Sequence, residues 1–233
     1  VLQDKTLRHG PLEALITYDE ETGMTGANSL KAGILKGDIL LNLDSEEEGE
    51  LCTGCAGGVD GTADFAYRTY KTPEGFVGYK ITVKGLKGGH SGMDISLFRG
   101  NANKIICRLL EAVISEYDVK VASITGGSLR NAIPFEAEAE ILVPSADSRK
   151  VKALVEKKFE ESKFEYQYSD PDMILIYDKQ SAPAARYISP KVIGKAVKAI
   201  LACPHGVQRM SDTLPGLTET STNMAIVRTQ KGH

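Results

Sequence analysis

Three groups of residues in this sequence are of types and spacings that can do chemistry. The first is Asp19-Glu20-Glu21, which follows the apolar run L-E-A-L-I-T-Y at residues 12–18, and the second is Asp44, which closes another run, G-D-I-L-L-N-L-D, at residues 37–44. Adjacent glutamates on an extended chain point to opposite sides, so one can ligate a metal while its neighbour reaches a water on that metal. An acidic turn is also an ordinary solvated surface feature, since charged side chains are mostly exposed. Asp44 at a second strand end favours the metal reading, because a dinuclear site needs carboxylates converging from several strands; the run Glu46-Glu47-Glu48 just after it reads as a solvated face. The third group is V-K-G-L-K-G-G-H-S-G at residues 83–92, where glycines surround His90 ahead of a helix. An imidazole on such a loop is exposed and free to act, and the plain alternative is a surface histidine.

The cysteines offer less. Cys52 and Cys55 stand in L-C-T-G-C, a spacing used by redox pairs and half zinc sites, but no second pair and no following helix pattern completes either. They read, with Cys107 and Cys203, as buried or strand-end thiols, which fits a reducing cytoplasmic setting. His205, in C-P-H-G-V, reads as a turn residue.

The elements that must position these groups fall into two styles. Near-continuous apolar runs at 12–18 and 37–44, with a short helical stretch at 27–32 between them, predict a parallel α/β sheet whose carboxyl ends carry the acids. From about residue 60 the pattern changes. Residues 79–84 alternate as a half-buried strand, and Ala102, Ile105, Ile106, Leu109, Leu110 and Val113 recur at helical spacing. Strands follow at 119–125 and 134–143, then a helix with Val151, Leu154, Val155 and Phe159 on one face, then strands at 164–168 and 173–177. That β-α-β-β-α-β order predicts a ferredoxin-like α+β unit. A further helix opens at Ser189-Pro190, with Ile193, Ala196, Val197, Ile200 and Leu201 on its apolar face, and a last strand is expected at 223–228.

Bulk properties exclude some classes. A net charge of −3 over 233 residues gives no reason to expect nucleic acid as a partner, and no apolar run is long enough to span a bilayer. No leader pattern stands at the start. The chain opens on Val1 instead of Met and stops at His233, just after the last expected strand, so both ends read as cut or processed.

Taken in order, Glu20-Glu21-Thr22-Gly23, Asp44, the loop from Val83 to Ser91 and Asn131-Ala132-Ile133-Pro134 resemble the two-domain zinc peptidases and deacylases. That family includes carnosinase-like dipeptidases, peptidase T, aminoacylase and succinyl-diaminopimelate desuccinylase. The strings H-G-P-L-E, N-L-D-S-E-E-E-G-E, G-L-K-G-G-H-S-G and G-G-S-L-R-N-A-I-P are most similar to its bacterial aminoacyl-histidine dipeptidase branch. The resemblance implies an α/β fold: part of a catalytic sheet domain at residues 1–59 and a ferredoxin-like lid of the dimerising kind at 60–233, incomplete at its C-terminal end. By the same resemblance Glu20 matches the general base, Glu21 and Asp44 match terminal ligands of two zinc ions, His90 matches the lid histidine that polarises the scissile carbonyl, and Asn131 matches a lid residue that contacts substrate. In dimeric relatives that histidine acts in the partner's active site.

The implied activity is hydrolysis of small dipeptides, Xaa-His among them, by a cytoplasmic homodimer joined through the lid, with no nucleic acid or membrane partner. Carboxylate ligands would also accept cobalt or manganese. The sequence departs from the family in lacking its H-x-D segment, its bridging Asp and its last zinc-binding His. The chain by itself is therefore expected to be inactive. The competing reading is a non-catalytic ferredoxin-like dimerisation module.

Overall fold

The computed structural model describes residues 3–44, 49, 51, 52 and 54–230, and for residues 21 and 22 the backbone alone. The chain divides into two compact units, Val1–Val59 and Asp60–His233.

The first unit has little regular structure. Two single-turn helices, α1 (Glu20–Gly23) and α2 (Thr25–Asn28), meet at Met24, whose φ of 55° is left-handed. Local side chains hold the turns: the Thr25 hydroxyl donates to Asp19, and Glu13 Oε2 accepts the N–H groups of Lys36 (2.7 Å) and Gly37 (2.9 Å). The strands expected at 12–18 and 37–44 are not formed, and the helix expected at 27–32 is displaced to α2. A parallel strand exists only by hydrogen bonding to neighbours, and the described residues of this unit contain no strand to pair with. The apolar side chains accordingly stand in solvent, Ile16 at 91% and Leu43 at 89% exposure.

The second unit carries, in order, β1 (Thr69–Lys71), β2 (Phe76–Lys84), α3 (Ala102–Glu116), β3 (Lys120–Gly126), β4 (Ala137–Pro144), α4 (Ser148–Glu165), β5 (Ile174–Lys179), β6 (Arg186–Ile188), α5 (Pro190–Ala202), β7 (Gly206–Met210), β8 (Thr218–Thr222) and β9 (Val227–Arg228). Five strands form one antiparallel sheet in the order β5-β2-β4-β3-β9. Its first four strands, with α3 and α4, are the ferredoxin-like arrangement that the β-α-β-β-α-β order predicts.

Alternation explains the sheet and helical spacing explains its cover. Ile81 and Val83 of β2 and Ala137, Ala139 and Ile141 of β4 are buried, and they meet Ile105, Ile106, Leu109, Leu110 and Val113 of α3 in one cluster. Asn101 starts α3 by accepting the Lys104 N–H on its side chain, a standard N-cap. Val151, Val155 and Phe159 do the same packing work from α4. Helix α5, opened by Pro190, lays Ile193 and Val197 into the cluster beside α3. The Lys104 ammonium donates to Ile200 O (2.8 Å) and Leu201 O (2.7 Å), a cation at the negative end of α5.

Two expectations fail in this unit. Residues 164–168 are the last residues of α4 and the turn after it, because β5 is supplied by Ile174–Lys179 alone. The strand expected at 223–228 reduces to Val227–Arg228 against β3, since the Met224 and Ala225 carbonyls accept from the Asn101 and Asn103 side chains. The β7–β8 hairpin has no counterpart in the expected elements.

Candidate functional site

The best-built polar site lies where two loops of the second unit meet. The chain leaves β2, passes through the glycine-rich segment and returns at Asn101 to begin α3; beside it runs the Asn131-Ala132-Ile133-Pro134 turn before β4. The two are joined by backbone bonds from Ser91 N–H to Asn131 O (2.7 Å) and from Ile133 N–H to Gly89 O (2.8 Å), with His90 bridged to Ala132. His90 and Asn131, remote in sequence, thus sit on adjoining backbone. Asn131 is half-buried and His90 exposed.

The His90 ring is oriented by its own loop. Its Nδ1 faces the N–H of Gly92 at 3.1 Å and, more weakly, that of Met93 at 3.4 Å, so Nδ1 is an acceptor. A neutral imidazole has one donor and one acceptor, which leaves Nε2 as the protonated, donating nitrogen. The backbone is held as well: Asp94 Oδ2 accepts the His90 N–H (2.8 Å), and the Asp94 N–H donates to His90 O (2.8 Å). Met93 and Phe98 flank the site in chain order and are 80% and 72% exposed.

A second polar layer supports the loops from behind. Asn223 Nδ2 donates to Ala132 O (2.7 Å), fixing the turn that carries Asn131. Asn101 Nδ2 lies 3.2 Å from His205 Nδ1 and donates to Met224 O (3.1 Å), while Asn103 Nδ2 donates to Ala225 O (3.2 Å). His205 is therefore more than the turn residue expected. It is a half-buried acceptor whose pKa is driven from 6.5 down to about 4, first by burial and then by the Lys104 charge.

The expected metal residues stand in the first unit and are not gathered. Glu20 is exposed at the first position of α1. Asp44 is exposed in a segment that is not a strand, its N–H donating to Asn42 Oδ1 (3.0 Å). The Glu21 side chain lies outside the described residues. Among the described residues no group of three or more His, Cys, Asp and Glu could hold a metal ion, whereas a catalytic zinc takes three protein ligands and a water. The donors among the described residues do not by themselves fit a metal.

Cys52 and Cys55 are exposed and free, contrary to the buried or strand-end thiols expected, because the described residues around them form no strand. Cys107 is buried, and burial pushes its thiol up to about 12.

A ferredoxin-like unit with a rigid histidine loop at the head of its first helix defines a class. Residues 74–167 match the family model described as the peptidase dimerisation domain. The chain is 43% identical over 227 residues to the cytosol non-specific dipeptidase of Escherichia coli (strain K12), an alignment covering 97% of this chain and 47% of that protein. Its fold matches the crystal structure of aminoacylhistidine dipeptidase from Vibrio alginolyticus with a TM-score of 0.83 at 44% identity, covering 99% of this chain and 47% of that one. The chain is thus similar along nearly its whole length to these two dipeptidases, and it spans about half the length of each.

Proposed function

We propose that this chain is part of a metal-dependent cytoplasmic dipeptidase acting on small peptides, Xaa-His dipeptides included, in which residues 60–233 form the lid and dimerisation domain and residues 1–59 belong to the catalytic domain. One observation carries the reading. His90 is exposed beside the Asn131 turn with Nδ1 accepting from backbone N–H groups, which leaves Nε2 as its donor. A preorganised donor is what stabilises a developing oxyanion without reorganising. Asn131 contacts the peptide, and Glu20 accepts the proton of the attacking water. Glu21 and Asp44 would hold one ligand position each at a site for two zinc ions, or for cobalt or manganese. When bound, those ions would supply Lewis-acid chemistry, and their remaining ligands would come from the half of the relatives' length that this chain does not span. In that setting the apolar runs at 12–18 and 37–44 gain the strand neighbours that they lack here.

The test uses the full-length protein with β-alanyl-histidine and glycyl-histidine. His90→Ala lowers kcat by about 10²–10³-fold, the cost of one oxyanion donor, with bound metal unchanged. Glu20→Gln lowers it by about 10²–10⁴-fold as a lost proton acceptor. Normal turnover in His90→Ala would leave the ferredoxin-like unit as a dimerisation module alone. The separate chain of 233 residues is expected to bind zinc poorly and to hydrolyse neither peptide.

A further inference from the structure

Asp170 has no exposed surface, and among the described residues no lysine or arginine is paired with it. A buried carboxylate without a cation is costly unless its oxygens are fully hydrogen-bonded. Its partners here are specific. Oδ1 accepts the N–H of Lys87 (2.8 Å), and Oδ2 accepts the N–H of Gly100 (2.7 Å) and the Ser169 hydroxyl (2.8 Å). Lys87 and Gly100 are the two stems of the loop that carries His90. One side chain, delivered by the turn after α4, therefore fastens both ends of that loop, one oxygen to each stem.

Inside the stems a second carboxylate repeats the device at the backbone of His90. Arg99 donates from Nη1 to Gly88 O (2.6 Å), and its Nη2 lies 3.3 Å from Asp94 Oδ1. The other Asp94 oxygen holds the His90 N–H. Gly89 is what lets the pair approach: its φ is +130°, and a Cβ there would overlap Arg99 Nη1 and Asp94 Oδ2. The path thus runs from Asp170 to the stems, from Arg99 to Asp94, and from Asp94 to the backbone of His90, after which the Gly92 N–H selects the ring nitrogen that donates.

We propose that Asp170 and Asp94 are the positioning residues of His90, Asp170 by clamping the stems of its loop and Asp94, steadied by Arg99, by fixing the backbone that sets its Nε2–H tautomer. The proposal rests on the reading of His90 as an oxyanion donor. A misplacement of about 1 Å at a reacting group is enough to cost on the order of 10²-fold in rate, so a loosened loop should act on turnover more than on binding.

The experiment compares Asp170→Asn, Asp94→Ala, Arg99→Met and His90→Ala in the full-length protein. Asp170→Asn keeps the shape and turns one acceptor into a donor facing an N–H. It should lower kcat by about 10-fold or more, with KM moving less than about threefold, as expected for a displaced group that acts in the transition state. Asp94→Ala and Arg99→Met should fall in the same direction. Each should add little to His90→Ala in the double variant, because both act through that ring. Long-range proton–nitrogen correlations of the His90 ring provide a readout independent of turnover: protonated Nε2 in the parent, and a mixture of tautomers in Asp94→Ala. If His90→Ala is costly while Asp170→Asn and Asp94→Ala keep parental kcat and tautomer, the positioning role is overturned and the reading of His90 stands. If His90→Ala keeps parental turnover, it is the reading that falls. A parent ring protonated at Nδ1 overturns the positioning proposal directly. Should Asp170→Asn fail to fold, the Asp94 and Arg99 variants at the half-exposed inner pair decide the matter.

Discussion

Residues 37–44 and 79–84 have comparable apolar content, yet they end in opposite states. The second lies within β2, paired on one side with β4 and on the other with β5, and its Ile81 and Val83 are fully buried. The first is unpaired, and Ile39, Leu41 and Leu43 are all exposed. The difference lies in the neighbours, not in the run. A helix closes its hydrogen bonds within one segment, whereas a strand satisfies its backbone only through other segments. The unit at 60–233 contains its own partners, and so it builds a core.

Backbone exchange should show the largest contrast. Amides of β2 and β4 should exchange about 10³-fold or more slowly than unstructured peptide, as expected when opening costs the stability of a whole domain. Amides at 12–18 and 37–44 should exchange at rates close to those of a peptide. Comparable protection in both regions, read by hydrogen exchange with mass spectrometry, would show that the first unit has found partners in solution.

Paired truncations sharpen the same comparison. Ile106→Ala, at a fully buried α3 position, should cost about 2–5 kcal/mol in a denaturant titration. Ile16→Ala, at 91% exposure, should move stability by no more than about 0.5 kcal/mol. A larger loss at Ile16 would place it in a core.

The smallest effect separates the buried polar layer of the second unit from its surface. The pKa of His205 is lowered to about 4 in the fold, from its ordinary 6.5. Between those values the unfolded chain holds a proton that the folded chain does not, so stability is present above about pH 6.5 and is lost as the pH falls toward 4. The loss should be about 1–3 kcal/mol, at roughly 1.4 kcal/mol per pKa unit. His205→Gln should flatten this part of the stability profile relative to the parent, while the carboxylate titrations common to both proteins cancel. Equal slopes in urea melts at pH 7 and pH 4.5 would mean that His205 is solvated.

Much of the second unit was legible in the chain. The helix spacing at 102–113, the alternation at 137–141 and the Ser189-Pro190 start each reflect a local rule that the tertiary structure obeys. The glycine-surrounded His90 could be singled out from the residues, since unusual backbone needs unusual residues, and Asn131 through the family resemblance alone. Asp94, Arg99, Asp170, Asn223 and His205 could not. Each is an ordinary polar residue in sequence: Asp170, Asn223 and His205 are distinguished by partners tens of residues away, and Asp94 and Arg99 by contacts within an irregular loop whose path no local pattern encodes. Residue type and period thus determined which segments could become helix or strand and which loop could carry an imidazole. Only the tertiary structure decided which apolar runs found neighbours, and which carboxylates were left to hold that imidazole still, because pairing and burial depend on segments far apart in the chain.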